Sequence, residues 1–319
     1  MGESSSVTTS LKVEPGHPAW PSLPLGEWAD TQSTLHRWLQ IVGKTRLALA
    51  PAVNHWWHTT LYLTGRGLTT SPMPCAERTV EVELDFFDHS LLIRSSDGAS
   101  RRMALAPRSV AEFYHEYMGL LEELDVRPDF WPKPNELEDT LPFAEDEQHR
   151  SYDPEYAGRC WQILSQADRV LHDFRGRFIG KCSPVHFFWG AFDLACTRFS
   201  GEKARKEHPA GFPTLPDSAV REAYSHECIS AGWWPGQGLG EPAFYSYSYT
   251  EPDGFPGAQV RPTDAYYHPE LKEFVLPYEA VQTARRPDDL LLDFFQSTYE
   301  AGAELGGWDR QSLERSTRS

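Results

Sequence analysis

The chain has 319 residues, of which 40% are hydrophobic and 13% aromatic, so it can form one large domain or two ordinary domains around a substantial core. Its formal net charge of −16 disfavours contact with phosphate backbones, and we expect no nucleic-acid partner. The five cysteines are scattered and form no CxxC pair, and the sequence has neither a secretory pattern nor a long apolar run. We therefore expect a soluble cytoplasmic protein that does not enter a membrane.

The beginning of the chain is predicted to be a tail, an arm and a helix. Residues 1–18 are rich in Ser, Thr, Pro and Gly, and we expect them to be disordered. The stretch 20–28, WPSLPLGEW, is expected to lie extended, with its Trp and Leu side chains docked on the body. Apolar residues at helical spacing predict a helix over 30–42, which Gly43 would end.

A run of strands is predicted next. Residues 55–64 are expected to form the first strand because they are rich in aromatic and β-branched side chains. Residues 79–87 alternate apolar and acidic side chains, which predicts a strand with one exposed face. Further strands are predicted at 91–95 and 102–105, with a Ser-Asp-Gly turn between them, and a helix at 109–124 follows.

The second half of the chain is predicted to repeat this order after a Pro-rich connection at 126–151. A long helix is expected to end near Phe178, and residues 185–199 are interpreted as one long strand. The remaining predicted elements are strands at 226–234, 243–250 and 273–276 and a final helix at 287–306.

The two halves share one plan of helix, Gly-Lys, Pro, strands and closing helix. We therefore interpret the chain as an α+β protein with an internally duplicated helix–antiparallel strands–helix unit. The first repeat would occupy 19–125 and the second 152–306, with the arm 126–151 between them and a tail at 307–319. The strands are expected to form one continuous sheet or an open barrel with outer helices, so that both repeats make one compact unit.

Aligning Pro51 with Pro184 places Trp56 over Trp189 and predicts a shared ligand cavity. Side chains alternate between faces along a strand, and one face of the two predicted strands mixes aromatic and hydroxyl groups with His58 and Asp193. That face has no Lys, Glu or Arg, which indicates an enclosed, ligand-binding surface.

A buried carboxylate needs a partner, and His58 is the expected partner of Asp193. Such a pair suits general acid–base catalysis, although it could equally be a structural hydrogen bond that joins the two halves. The other expected ligand-binding residues are Trp56, Tyr62 and Trp189 as aromatic walls and His186 and His226 at the rim. Arg198 would contact an anionic substrate or pair with Glu202.

No metal site is expected, and the sequence indicates no particular cofactor. His55 and His58 form an HxxH pattern on a predicted strand, which directs the two imidazoles to opposite faces. His186 and His226 are the other candidate ligands. The chain contains neither a GxxxxGK[ST] phosphate-binding loop nor a GxGxxG dinucleotide motif.

Several long blocks carry a family resemblance, among them NHWWHTTLYLTGRGLTT, HFFWGAFDLACTRFSG and REAYSHE. They resemble a bacterial family, common in actinobacteria, that is catalogued as a domain of unknown function. The resemblance extends over nearly the whole chain beyond residue 18. It implies no activity, cofactor or catalytic residue.

Three functions therefore remain open. The chain could be a small-molecule enzyme that uses Asp193 and His58, or a binding module with the same cavity and no turnover. It could also be an interaction protein that docks a partner or a second copy through the Trp-rich stretch 20–28. The oligomeric state is not indicated.

Overall fold

The computed structural model describes residues 19–205 and 214–315. The predicted tail at 1–18, residues 206–213 and the last four residues lie outside the described part of the chain. Among the described helices, none is both long enough and apolar enough to cross a membrane.

In the first half of the described chain, a six-stranded antiparallel sheet follows one helix and precedes another in the sequence. Its strands follow the order β1-β2-β4-β5-β6, with β3 paired to β4. Helix α1 spans Leu25–Leu49 and helix α2 spans Val110–Glu122. The strands are β1 (Tyr62–Leu63), β2 (Gly67–Thr69), β3 (Met73–Cys75), β4 (Arg78–Asp85), β5 (Ser90–Ser95) and β6 (Ser100–Ala104).

The second half forms another six-stranded antiparallel sheet, here called sheet two, in the order β11-β12-β10-β9-β8-β7. Its strands are β7 (His186–Phe188), β8 (Asp193–Lys203), β9 (His226–Trp234), β10 (Ala243–Tyr249), β11 (Tyr266–His268) and β12 (Glu273–Pro277). Its helices are α3 (Pro154–Gly176), α4 (Asp217–Ala223), α5 (Tyr278–Gln282), α6 (Pro287–Leu305) and α7 (Arg310–Leu313).

One pair of residues joins the two sheets. The amides and carbonyls of Leu61 and Phe187 exchange two hydrogen bonds of 2.9 Å, just before β1 and within β7. Neither sheet closes on itself, so the α+β class is confirmed and the sheets are open rather than a closed barrel.

Local sequence signals explain where several elements begin. Ser109 caps α2 through a reciprocal capping box with Glu112, and the Asp153 side chain caps α3, which has Pro154 in its first turn. In β4 the predicted alternation is confirmed, because Val80 and Val82 are fully buried.

Helices α3 and α6 pack on the outer face of sheet two and build its core. The Phe174 ring lies 5.8 Å from Phe295 and 6.3 Å from Tyr299, between the two helices. Alternate residues of β8, such as Leu194 and Cys196, are fully buried towards them. The opposite face of sheet two is therefore left for other contacts.

The prediction of the first helix was wrong at both ends. Helix α1 begins five residues earlier than expected and continues through Gly43 to Leu49. A Cβ atom at Gly43 would lie 2.2 Å from Cδ1 of Trp189, so this glycine provides space for an indole ring and does not end the helix. The stretch 20–28 is partly helical, and Trp20 and Trp28 are each only 1% exposed.

Both predicted first strands were also wrong. Residues Asn54–Thr59 form a 3-10 helix in which His55 and Trp56 have φ values of 59° and 61°. The predicted strand 185–199 is a hairpin, since β7 ends at Phe188 and β8 begins at Asp193. Aromatic and β-branched composition favoured a strand, but the left-handed residues turn the backbone away from an extended path.

Candidate functional site

A cavity of about 1450 Å³ lies against the inner face of sheet two. Residues of four neighbouring strands line it, and in β8 they follow the two-residue period of a strand. These residues include Asp193, Ala195 and Thr197 of β8, Ser230 and Trp234 of β9, Tyr245 and Tyr247 of β10, and Glu273 of β12.

Tyr245 reaches Asp193 across the strand between them. Gly232 of β9 is the register partner of both Ala195 and Tyr245. A Cβ atom at Gly232 would lie 2.7 Å from Cζ and Oη of Tyr245, so the absent side chain lets the phenol lie flat over β9. Its hydroxyl then donates a hydrogen bond of 2.5 Å to Oδ2 of Asp193.

The opposite wall comes from the first half of the chain and the Pro-rich arm. Lys44 of α1, Trp56 of the 3-10 helix and the arm residues Asn135 and Glu136 all line the cavity. Nζ of Lys44 donates to Oδ1 of Asn135 and lies 5.5 Å from the centre of the Trp189 ring. The cavity thus lies between sheet two and a helix-and-loop wall, and the first sheet does not provide a matching wall.

Three carboxyl groups on this cavity have raised pKa values. Burial raises the pKa of Asp193 to about 7. The hydrogen bond from Tyr245 stabilises the ionised form and lowers this pKa, but its effect is smaller than that of burial. Burial, with a smaller contribution from the Asp193 charge, raises the pKa of Glu136 to about 7 and that of Glu273 to about 8. All three groups therefore exchange protons near neutral pH.

Glu136 and Glu273 are half-buried, and their carboxylates form no hydrogen bond or ion pair with any described residue. Glu136 lies against the backbone of Gly190, where a Cβ atom would be 2.0 Å from its Oε1. Buried carboxylates are normally satisfied by a partner. These two side chains therefore retain unused acceptor capacity at the cavity wall.

The charge of the described wall is unbalanced. It contains five carboxyl side chains and two ammonium groups, and no guanidinium lines it: Asp129, Glu136, Asp193, Glu251 and Glu273 against Lys44 and Lys272. Burial without a nearby carboxylate lowers the pKa of Lys44 to about 8. The cavity is consequently acidic as well as aromatic.

Strained backbone is concentrated at the same place. Five cavity residues adopt positive φ values of 58° to 69° although none is glycine: His55, Trp56, Glu136, Thr214 and Lys272. Left-handed conformations are unfavourable for such side chains and occur preferentially where the surrounding structure holds a functional group in place.

Of the residues predicted for the site, Asp193, Trp56 and Trp189 line this cavity. The predicted hydrogen bond between Asp193 and His58 is absent. Nδ1 of His58 accepts from the amide of Val53 at 3.2 Å, whereas Asp193 accepts from Tyr245. The prediction failed because His58 lies in a 3-10 turn and not on a strand beside β8.

The other predicted ligand-binding residues are not part of the described cavity wall. Nδ1 of His186 lies 2.7 Å from the hydroxyl of Thr60, and the Tyr62 ring lies 5.4 Å from the Arg46 guanidinium. His226 hydrogen-bonds to its neighbour Ser225.

Arg198 lies on the outer face of sheet two. It is fully buried, and its guanidinium carbon lies 3.5 Å from the centre of the Phe174 ring and 4.3 Å from that of Tyr299. Residues 193, 195 and 197 face the cavity, so the alternation of β8 places residue 198 on the helix side. Arg198 is therefore not on the described cavity wall, and it contacts Phe174 and Tyr299 instead of pairing with Glu202.

Sequence reasoning missed Tyr245, Glu136 and Glu273. The alternating tyrosines of β10 were a usable signal for an aromatic face, since Tyr245 and Tyr247 are two residues apart. Glu136 and Glu273 had no comparable signal, because an arm and a strand end reach the cavity only through the tertiary fold.

The candidate metal ligands do not meet as a set, although the rings of His55 and His226 lie 5.6 Å apart. Within 19–205 and 214–315, no three His, Cys, Asp or Glu side chains are placed to hold a metal ion together. Nε2 of His55 lies 2.7 Å from Nζ of Lys181, and its Nδ1 lies 3.1 Å from the Ala223 carbonyl oxygen. Both ring nitrogens are therefore already occupied.

Comparison with known proteins identifies a family and nothing more specific. Neither the curated proteins nor the solved structures include a significant match to the chain. One family model matches residues 20–315, a span that contains both sheets and every cavity residue named above. The chain therefore belongs to the family of unknown function DUF5996.

Proposed function

We propose that this protein is an enzyme that binds a small organic molecule in the cavity of sheet two and transfers a proton with Asp193. The observation that carries the proposal is the convergence of Asp193, Glu136 and Glu273, with pKa values of about 7 to 8, on one aromatic cavity. A group whose pKa lies near the working pH can both donate and accept a proton.

Tyr245 is the positioning residue for Asp193 in this proposal. Burial and the neighbouring carboxylate raise the pKa of the Tyr245 phenol well above its usual range, so the phenol stays protonated and keeps donating. The hydrogen bond fixes the orientation of the carboxyl group towards a substrate. The aromatic walls supply apolar contact area for binding, and the polar groups orient the bound molecule.

Two features favour this proposal over the alternatives. A purely structural role for Asp193 would leave unexplained why Glu136 and Glu273, whose carboxylates have no described partner, lie on the same cavity wall. The stretch 20–28 is a poor docking surface, because its Trp20 and Trp28 side chains are buried within this chain.

Metabolite profiling tests the proposal. The purified protein is incubated with a bacterial small-molecule extract, and mass spectrometry follows which compounds are consumed. Wild-type protein is expected to consume at least one compound, and Asp193→Asn to do so about 100-fold more slowly, since general acid–base catalysis contributes about 10²–10⁴-fold.

Asp173→Asn is the matched control, because Asp173 is an exposed carboxyl on helix α3 outside the described cavity wall. It is expected to react at the wild-type rate, and circular dichroism checks that both variants fold. The proposal is overturned if wild-type protein consumes no compound, or if folded Asp193→Asn reacts as fast as wild type.

A further inference from the structure

We infer that the molecule bound in this cavity is an organic amine, whose ammonium group lies against Asp193, Glu136 and Glu273 while its body contacts the aromatic walls. The inference rests on the proposed function in one respect only, namely that the same cavity is the ligand site. It adds the chemical class of the ligand.

The charge balance of the wall gives the first reason. Five carboxyl side chains and two ammonium groups line the described part of the cavity. Glu251 already accepts a hydrogen bond of 2.5 Å from Tyr267, and Asp129 is exposed to solvent. Asp193, Glu136 and Glu273 are therefore the half-buried acids available to a ligand. A cationic ligand gains more from these groups than a neutral or anionic one, because opposite charges attract at short range.

Unused acceptors give the second reason. Neither Glu136 nor Glu273 is hydrogen-bonded to a described residue, and Asp193 has one side-chain donor, Tyr245. An ammonium group brings three N–H donors and a positive charge, and charge-assisted bonds to carboxylates are about twice as strong as neutral ones. Lys44 does not fill this role, because it bonds to Asn135.

The aromatic groups beside Asp193 give the third reason. The rings of Trp234 and Tyr245 meet edge to face at 5.7 Å, and Tyr247 is stacked on Tyr245 at 6.2 Å. Faces of Trp and Tyr attract cations. Elsewhere on this wall the Trp189 ring already has the Lys44 ammonium 5.5 Å from its centre.

The size of the space indicates an organic cation. A cavity of about 1450 Å³ far exceeds the volume of an inorganic ion and leaves room for an aromatic or aliphatic body. In the described ranges, no three acidic, His or Cys side chains are placed to hold a metal ion, so an inorganic cation is not the expected ligand.

Three probes with one indole body and different head groups test the inference. Tryptamine carries an ammonium group, tryptophol a hydroxyl and indole-3-acetate a carboxylate. Isothermal titration calorimetry is done at pH 8, where an aliphatic ammonium remains protonated. Tryptamine is expected to bind at least tenfold more tightly than tryptophol, and indole-3-acetate to bind more weakly than either.

Variants locate the head group. Glu273→Gln is expected to weaken tryptamine binding by about tenfold and to leave tryptophol binding within twofold, because only the charge contribution is removed. Glu270→Gln is the matched control, since Glu270 is exposed three residues away and is not on the described cavity wall. It is expected to bind all three probes like wild type.

Several results would overturn the inference. Tryptophol or indole-3-acetate could bind as tightly as tryptamine, or Glu273→Gln could leave tryptamine binding unchanged. Failure of tryptamine, butylammonium and putrescine alike to bind would also overturn it. If the protein then consumes a compound that is not an amine, and this depends on Asp193, the proposed enzymatic function still holds. If the protein selects ammonium ligands but consumes no compound, the ligand class is supported and catalysis is contradicted.

Discussion

The phenol of Tyr245 donates to Oδ2 of Asp193 at 2.5 Å and crosses the bare backbone of Gly232 to do so. This contact joins β10 to the first residue of β8 over the strand that separates them. Among the described residues, Tyr245 is the one side chain that donates a hydrogen bond to the Asp193 carboxyl. The protonation of Asp193 should therefore respond to changes at Tyr245.

Removing the Tyr245 hydroxyl should raise the pKa of Asp193 above about 7. The hydrogen bond stabilises the ionised carboxylate and so lowers its pKa, against the larger effect of burial. Tyr245→Phe keeps the ring and loses this donor. The pKa of Asp193 can be followed by NMR titration of its labelled carboxyl carbon, assigned with Asp193→Asn.

Tyr247→Phe is the matched control for this experiment. The Tyr247 hydroxyl lies 3.4 Å from that of Tyr224 and does not donate to Asp193. We expect the Asp193 titration to remain near its wild-type position in this variant. An unchanged or lower Asp193 pKa in Tyr245→Phe would contradict the assigned hydrogen bond.

The cavity acids should make the protein less stable as the pH rises from about 4 to 8. Each of Asp193, Glu136 and Glu273 has a folded-state pKa of about 7 to 8, above the unfolded value of about 4. Between these values the folded state binds more protons, so the free energy of unfolding falls by up to about 1.4 kcal/mol per pH unit for each such group. Below the pKa of the unfolded state, the acids are protonated in both states and no longer lower the free energy of unfolding.

Urea unfolding of wild type and Asp193→Asn at several pH values measures this contribution. His36 and His186 have pKa values lowered by burial to about 4 and about 3, and they act in the opposite direction below pH 6.5. Comparing the two proteins cancels that effect. The stability of Asp193→Asn relative to wild type should increase from pH 4 to 7, and a constant difference would show that the Asp193 pKa is not raised.

The regular parts of the fold could be predicted from the sequence because local patterns determine them. The boundaries of β9 and the start of α6 at Pro287 were predicted correctly, since apolar runs and a proline in the first turn are local signals. The failure at residues 54–59 has a physical cause. Nothing local distinguishes an aromatic strand from a tight turn whose backbone is held in the left-handed region by its surroundings.

The candidate site was predictable only in part for a related reason. Asp193 and Trp189 stood out because a carboxylate and an indole occur in one apolar segment. Their true neighbours depend on strand register and on the path of the Pro-rich arm. Tyr245 meets Asp193 across Gly232, and Glu136 arrives from a connection that the sequence marks only as rich in proline.

Replacing Gly43 by alanine should destabilise the protein, although alanine is the better helix former. The added Cβ would lie 2.2 Å from Cδ1 of Trp189, whose Nε1 donates to the Thr59 carbonyl at 2.5 Å. Displacing this ring should cost about 2 kcal/mol, as overpacking in a core does. Gly119→Ala, at an exposed position of α2 where a Cβ meets nothing within 4 Å, should instead stabilise the protein by up to about 1 kcal/mol.

Thermal unfolding of the two glycine variants, monitored by circular dichroism, checks the sign of each change. We also expect tryptamine to bind more weakly to Gly43→Ala, since Trp189 forms part of the cavity wall. Equal stabilisation of both variants would show that the contact between Gly43 and Trp189 is not tight.

Arg198 should prove important for stability and irrelevant to ligand binding. Its guanidinium lies fully buried between the rings of Phe174 and Tyr299 and donates to the Phe174 carbonyl, on the side of sheet two away from the cavity. Arg198→Lys keeps the charge but loses the planar stacking and leaves an ammonium with too few acceptors, so it should lose about 3 kcal/mol.

Arg198→Met provides the comparison, because it has a similar length and no charge to bury. It should be more stable than Arg198→Lys, since a buried cation without an ionic partner is costlier than an apolar side chain. Urea unfolding gives the order of the three proteins, and calorimetry with tryptamine should give dissociation constants within twofold of wild type for both variants. A weakened tryptamine affinity in Arg198→Met with the fold retained would return Arg198 to the ligand site, where the sequence had placed it.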